Sequence, residues 1–405
     1  MLCYIICRFY RNETKIVSKQ KQLNLAILGG GQLGMLLCEA ARKLEINTVI
    51  VTPDAEGPAM ATAASSIITD MTSDGLAGRL AGVADVVTYE LEDIPASLLE
   101  ELISEQEAGN IKVHPAAQLL GLLKNKATQK QWYLDHGFPT LPFLIEESPV
   151  NVKSDLRQFG LPLVQKAQTG GYDGYGVQVI REEAELENLW DVPSMIEQYV
   201  DRPVELGVVV ARSGKGEIIN YQPVRMEFEQ EKNILDAVIL PTGLDKRIDD
   251  DAVELARAVI DSLEGVGVFA VEMFLVNDEL LINEISPRVH NSGHHTLETS
   301  NVSQFEQHVR AVCDLPLVEP EKPAGSAIMA NLLYSDDLEF LLGTPTGVKS
   351  SDDGDVHLYW YGKKEGRTGR KMGHVTCLGL NLEESKIRTG QFIEQLKQKS
   401  EGAVA

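Results

Sequence analysis

The apolar positions of this chain fall into two rhythms. From residue 23 onward, short apolar runs pass through glycine turns into helix-spaced apolar residues. Residues 25–28 read as a strand, Gly29-Gly30-Gly31-Gln32-Leu33-Gly34 as its turn, and residues 35–44 as a helix. Residues 48–52, ending at Pro53-Asp54, and 85–88, ending at Tyr89-Glu90-Leu91-Glu92, repeat the strand signal. Strands alternating with helices predict a parallel, doubly wound sheet whose ligands lie at the carboxyl ends of its strands. Both the glycine turn and Glu90 fall at such ends. Val113-His114-Pro115 closes this region.

The second rhythm follows a helical stretch over 117–136. Residues 143–145 open an αβ segment. Residues 161–166 and 177–180 predict a hairpin around a glycine-rich loop, and 194–197 and 205–210 continue a mostly antiparallel sheet. Helices are predicted over 249–263 and 305–313. The tail, 356–361 and 374–378, reads as a small β-unit with a basic loop between its strands.

One pair of strands breaks the apolar rule. Residues 268–275 and 280–286 read as neighbours joined by Asn277-Asp278-Glu279, yet Glu272 and Glu284 stand where a core prefers Val or Leu. Two carboxylates on adjacent strands, with the Asn283 amide beside one, make a hard oxygen site for Mg²⁺ that leaves room for nucleotide phosphates. Arg288, His290 and His294 follow, bringing cation and proton-transfer chemistry to the same mouth. Polar groups at this density on buried strands are costly unless something binds there. The pattern predicts a Mg-ATP enzyme.

At 405 residues the chain is long enough for two or three domains. Its net charge of −23 argues against a nucleic-acid partner, and no run approaches the length of a membrane span. Five scattered cysteines without a Cys-x-x-Cys pair suggest a reducing cytosol rather than a disulfide framework or zinc site. Residues 1–22 place an apolar run before their cations, the reverse of a secretory signal. They read as an unstructured extension or as translation from an upstream start codon, in preference to an organelle-targeting peptide, and are left outside the fold.

Four further motifs carry chemistry. Gly29-x-Gly31-x-x-Gly34 with Asp54 fits a dinucleotide fingerprint, so a nicotinamide dehydrogenase stays open. A helix N-terminus there could equally hold a phosphate of another substrate. In Gln165-Lys166-Ala-Gln-Thr169-Gly170-Gly171-Tyr172-Asp173-Gly174-Tyr175-Gly176-Val177, four glycines in seven residues let backbone approach phosphates while Lys166 supplies a point charge. It runs strand–loop–strand and lacks Gly-Lys-Ser/Thr, so it is no Walker loop. Glu197-Gln198-Tyr199-Val200 with Glu205 could form a nucleoside edge, with backbone groups for adenine and a carboxylate for ribose. Finally, Lys363, Lys364, Arg367, Arg370 and Lys371 crowd one glycine-rich loop of an acidic protein, which suggests a shaped anion site. Trp132, Trp190, His136 and His308 read as packing or surface residues.

Together, Gly-Gly-Gly-Gln-Leu-Gly, Thr-Tyr-Glu, Gly-Gly-Tyr-Asp-Gly, Asn-Glu-x-x-Pro-Arg-x-His-Asn-Ser-Gly-His and Gly-Arg-Lys-Met-Gly-His resemble the ATP-grasp N5-carboxyaminoimidazole ribonucleotide synthetases of purine biosynthesis. The likeness runs from about residue 23 into the final helix. It implies a pre-ATP-grasp α/β domain over 23–118, a two-lobed α+β ATP-grasp unit over 119–325, and a C-terminal β-unit with a last helix over 326–405. It implies ATP and Mg²⁺ as cofactors, bicarbonate and 5-aminoimidazole ribonucleotide as substrates, a cytoplasmic enzyme, and a homodimer. On this resemblance Glu272 and Glu284 hold the metal. Lys126, Lys166, the loop 171–177, Glu197, Gln198, Tyr199, Val200, Glu205, Glu229 and Asn283 face the nucleotide. Arg288, His290 and Lys363 handle the activated carboxyl. Gln32, Leu33, Glu90, Tyr172, Asp173, Arg370 and Lys371, with Lys363, contact the ribonucleotide.

Three positions depart from the family pattern. Asn125-Lys126 replaces Asp-Arg, leaving a phosphate contact with fewer donors. Tyr175 stands where a cation is usual, and Glu227-Phe228-Glu229 replaces Asn-x-His. Two alternatives stay in play: a formate-using glycinamide ribonucleotide transformylase, which shares the activated-acid logic but not Gly-Arg-Lys-Met-Gly-His, and, on the Lys126 and Tyr175 changes, a nucleotide-binding regulator without turnover.

Overall fold

The computed structural model describes residues 22–170, 176–229, 234–323 and 325–404. In the N-terminal region β1 (Asn24–Leu28), α1 (Gln32–Lys43), β2 (Asn47–Thr52), β3 (Ser65–Ile68), α2 (Leu76–Ala81), β4 (Val86–Tyr89), α3 (Ala96–Glu107) and β5 (Lys112–Val113) alternate as expected. Their sheet is parallel, in the order β3-β2-β1-β4-β5. The chain reverses its winding direction between β1 and β4, so the turns after these two strands open into the crevice where such sheets bind ligands. Both turns carry chemistry: 29–34 after β1, and Glu90 after β4.

The predicted helix over 117–136 is two helices, α4 (Ala117–Leu123) and α5 (Lys126–Asp135). The break is chemical. The Asn125 side chain accepts from the Ala127 and Thr128 amides at 2.9 and 3.1 Å, capping α5 and leaving Lys126 as its first residue. A small antiparallel sheet follows, built from β6 (Phe143–Glu146), β7 (Leu163–Ala167), β8 (Val177–Ile180) and β9 (Ser194–Gln198), with α6 (Lys153–Phe159) across it. The hairpin of β7 and β8 forms in the predicted register, Lys166 opposite Val177. This lobe has its own compact core around Leu156, Leu163, Ile180 and Ile196.

The expectation that residues 194–197 and 205–210 share one sheet is wrong. β9 ends the small sheet, whereas β10 (Val204–Arg212) opens a second, ten-stranded one. That sheet adds β11 (Ile218–Asn220), β12 (Val224–Glu229) and β13 (Ile234–Leu240). After α7 (Lys246–Leu263) come β14 (Gly267–Val276) and β15 (Glu279–Ser286), then α8 (Thr296–Thr299) and α9 (Gln304–Val312). The tail strands β16 (Ser326–Leu333), β17 (Gly347–Ser350), β18 (Val356–Trp360) and β19 (Lys371–Gly379) precede α10 (Leu382–Val404). They are continuous with the same sheet, because β16 pairs β13 from Ala237–Ala330 to Leu240–Ala327. Polar and apolar runs announce strands; they do not say which sheet a strand joins.

One core crosses all three regions. Leu25, Met35 and Ile50 from the N-terminal sheet and its helix pack in one buried cluster with Val209, Phe305, Tyr359 and Tyr361. The tail loop is therefore pressed against the crevice after β1 and β4. Thr346 and Met35 touch there, and Lys364 pairs with Glu56 at 2.8 Å.

Candidate active site

The glycine turn after β1 folds around a carboxylate. Glu90 is buried; its Oε1 accepts from the Gly31 amide at 2.7 Å and its Oε2 from the Gly34 amide at 3.2 Å. Gly29 has φ +117, and a Cβ there would lie 2.3 Å from Glu90 Cγ. These glycines make room for an acid of the same chain, and the amides a dinucleotide pyrophosphate would need are already taken. The dehydrogenase reading fails on this point. Burial pushes the Glu90 carboxyl up, while the two amides and the fields of Arg288 and Lys363 pull it back. Gln32 and Leu33 open α1 beside it.

The acid pair forms as predicted. β14 and β15 are antiparallel through a two-residue turn, with Asn277 and Asp278 both at positive φ, and Glu272 stands opposite Glu284. A β-bulge follows immediately, between Glu272 and Met273. Lys126 Nζ sits 2.9 Å from Glu284 Oε2 and, more than any other group, holds that carboxyl below its ordinary value. Glu272 is driven the other way, by burial first and then by the carboxylates of Glu284 and Glu205. Lys126 and Arg288 pull it partway back, and His290 stands beside it. The Ser292 amide donates to its Nδ1 at 3.3 Å, which assigns the proton to Nε2, 3.3 Å from Glu272 Oε1.

Arg288 lies next to this pair and ties the hairpin to the N-terminal crevice through Glu92 at 2.8 Å. Lys363 reaches the same region from the tail, its Nζ donating to the Lys371 carbonyl at 2.6 Å and standing 5.5 Å over the Tyr361 ring. Arg370 donates to the Glu365 carbonyl at 2.7 Å and shapes the loop. His294 does not line this mouth as the sequence suggested. It is fully buried, and burial holds its ring neutral.

On the nucleotide side, Glu197 is clamped. Lys166 lies 2.5 Å from its Oε2 and Lys130 2.6 Å from its Oε1. Burial pushes the Glu197 carboxyl up, yet the two lysines together hold it below the ordinary range. Its carboxylate is thus occupied, which leaves Glu205 as the acid of that edge still open to a ligand. Burial lifts Glu205 to about 7 against the pull of Lys166. Lys166 also donates to Asn283 Oδ1 at 3.1 Å, joining the small lobe to β15. Gln198, Tyr199 and Val200 follow at the lobe's exit, where Arg181 stands 5.3 Å over the Tyr199 ring. Glu229 ends β12, where it and Glu227 push the Asp236 carboxyl up after burial does. Gly171, Tyr172, Asp173, Gly174 and Tyr175 lie outside the described residues; Gly176 and Val177 close the loop on β8.

Sequence reasoning missed Lys130. It is 2% exposed, donates to Thr140 Oγ1 at 2.6 Å and to the Ile282 carbonyl at 3.2 Å, and burial lowers its ammonium to about 8. The available signal was its i,i+4 spacing from Lys126 on one helix face. A cavity of about 540 Å³ lined by Asn220, Lys246, Arg257 and His295 shares no residue with this cluster. The chemistry, not the room, marks the site.

A crevice acid, a lysine clamp and a cross-strand acid pair define an ATP-grasp enzyme. The matched domain families agree. Residues 23–124 match the ribonucleotide synthetase preATP-grasp domain, 131–305 the ATP-grasp domain, and 327–388 the phosphoribosylaminoimidazole carboxylase C-terminal domain. The chain is 34% identical over 381 residues to N5-carboxyaminoimidazole ribonucleotide synthase of Synechococcus elongatus, covering 93% of this chain and 94% of the relative. It is 36% identical to the Bacillus subtilis enzyme of the same name, covering 87% and 91%. Among solved structures, the Thermotoga maritima synthetase superposes with a TM-score of 0.79 at 34% identity, covering 92% of this chain and 98% of that one. The Aspergillus clavatus synthase in complex with ADP and 5-aminoimidazole ribonucleotide gives 0.80 at 29%, covering 93% and 99%. The chain belongs to the N5-carboxyaminoimidazole ribonucleotide synthase family.

Proposed function

We propose that this protein carboxylates 5-aminoimidazole ribonucleotide with bicarbonate at the expense of ATP, giving N5-carboxyaminoimidazole ribonucleotide, ADP and phosphate. One observation carries the reading. The acid pair with its lysines and the Arg288–Lys363–Glu90 group form one continuous polar cluster drawn from all three regions of the chain. A nucleotide half and an acceptor half therefore share a mouth.

Bicarbonate is a poor electrophile, so its oxygen first takes the γ-phosphoryl group of ATP, and ADP leaves. The exocyclic amine of the ribonucleotide then forms the C–N bond to the carboxyl carbon as phosphate departs. Lys166 and Lys126 would hold phosphate oxygens, and Glu205 and the backbone of 197–200 the nucleoside. Glu272 and Glu284 fit Mg²⁺. Glu272 is buried and Glu284 half-buried, the two stand opposite one another in register, and the strong upward push on Glu272 is what a bound cation would relieve. When bound, that ion neutralises charge on the phosphates. His290 Nε2–H and the Arg288 guanidinium would hold the carboxyl intermediate away from water. Lys363, Arg370 and Lys371 would take the ribonucleotide, together with Gln32 and Leu33; Glu90 shapes their turn rather than standing free. Cytoplasmic residence accords with free, buried Cys38, Cys313 and Cys377, and no described helix is long and apolar enough to cross a membrane. The homodimer and the division at residues 118 and 325 remain part of the same proposal.

The test is ADP release from purified protein with Mg-ATP and bicarbonate, with and without 5-aminoimidazole ribonucleotide. Stimulation by the ribonucleotide is expected, and Glu284→Gln should abolish it. A wild-type rate indifferent to the ribonucleotide would remove the reading; stimulation by formate and glycinamide ribonucleotide would replace it.

A further inference from the structure

Behind the acceptor half lies a buried polar seam that neither the acid pair nor the lysine clamp uses. Strands β16, β19 and β18 lie side by side, and their registers place Asn331 opposite His374 and His374 opposite Tyr359. These three residues make one rung across three strands. The segment just after His290 crosses it with Asn291, His294 and Glu298, a spacing of three and four that keeps them on one face.

The partners match in order. Asn291 and Asn331 exchange amide hydrogen bonds at 3.0 and 3.1 Å. The His294 and His374 rings lie 4.9 Å apart. Tyr359 donates its hydroxyl to Glu298 Oε1 at 2.6 Å and stacks on His374 at 4.5 Å with 5° between the planes. Asn291, Asn331, His294, His374 and Tyr359 are all buried. Burial keeps both histidines neutral, so the rung carries no cationic charge into the core. Apolar residues would fill such a space without fixing a register; the Asn291–Asn331 and Tyr359–Glu298 hydrogen bonds accept only one, with the two histidine rings packed between them.

The seam sits where register matters. Arg288 and His290 immediately precede Asn291, while the tail loop with Lys363 and Arg370 hangs between Tyr361 and His374. The Tyr361 hydroxyl lies 2.7 Å from His374 Nδ1, and the Tyr361 amide donates to the Met372 carbonyl at 3.0 Å, closing the base of that loop. We propose that Asn291–Asn331, His294–His374 and Glu298–Tyr359, tied to the loop by the Tyr361–His374 bond, are positioning contacts that set the tail loop against Arg288 and His290, and so determine binding of the ribonucleotide phosphate rather than of ATP. This rests on the functional reading above.

The experiment compares steady-state KM values for 5-aminoimidazole ribonucleotide and ATP in wild type, His374→Phe, Tyr361→Phe and His374→Asn. His374→Phe keeps the stack but loses the bond to Tyr361. Its ribonucleotide KM should rise about tenfold while its ATP KM stays within about twofold. Tyr361→Phe removes one hydroxyl and should shift the same constant should His374→Phe fail to fold. His374→Asn restores an acceptor and should recover most of the loss. Unchanged ribonucleotide KM in both Phe variants, or an equal rise in both constants, would overturn the proposal. Wild type without ribonucleotide stimulation would overturn the functional reading and this role with it.

Discussion

Lys130 commits all three ammonium protons inside the protein, to Glu197, Thr140 and the Ile282 carbonyl. It binds α5, the small lobe and β15 at a single point. Replacing it with Met would leave Glu197 buried with Lys166 alone, and removing one partner of a buried pair typically costs about 3–5 kcal/mol. Lys130→Met should therefore lower unfolding stability by about 3 kcal/mol in urea titration, and Lys130→Met with Glu197→Gln should recover part of it. A loss below about 1 kcal/mol would mean Glu197 finds a replacement. At this scale the sequence was uneven. Glu272 and Glu284 were legible because a carboxylate on an apolar strand stands out. Lys130 was not, because a lysine on a helix is ordinarily solvated, and only its unseen partner makes it otherwise.

Helices and strands were read well where one period governed them, as in β1, α1 and the β7–β8 hairpin. The break at Asn125 escaped notice because both helices carry apolar residues in compatible phase, and a cap depends on local backbone geometry. The element boundary matters for chemistry, since the cap fixes the first turn of α5 and thereby Lys126 against Glu284. Asn125→Ala should cost about 1 kcal/mol of stability. It should also raise the KM for ATP several-fold without changing that for the ribonucleotide, as initial-rate kinetics would show. His294 illustrates the converse error. Its motif is polar throughout, and nothing local says that one ring turns inward to meet a strand 80 residues later. Such pairings are set by sheet register, which sequence rhythm leaves open.

Across the whole molecule, titration should report the buried histidines. Burial lowers His308 to about 3, where it accepts from the Val268 amide at 3.1 Å, and lowers His374 to about 3 and His295 to about 4. Unfolded histidine titrates near 6.5, so between these values the unfolded chain binds more protons and stability falls on acidification. Each group contributes up to ~1.4 kcal/mol per pH unit. Glu205 and Glu298, both raised to about 7, act oppositely above the unfolded carboxylate value and soften the slope between about pH 4.5 and 7. His308→Gln should flatten the acid limb by about one proton in denaturation measured from pH 4 to 6; an unchanged slope would mean that His308 is charged in the fold.

The pairing of β13 with β16 also governs how the chain reaches its native state. Ile234–Leu240 reads Ile-Leu-Asp-Ala-Val-Ile-Leu, and its neighbour in the sheet is supplied only when residues 326–333 have been made. Until then this strand is an apolar edge with an open row of amides and carbonyls, the kind that recruits other chains. A nascent or truncated chain ending before residue 326 would carry that adhesive border exposed. The tail unit that bears the acceptor loop thus brings with it, in β16, the seal for the open edge of the nucleotide half.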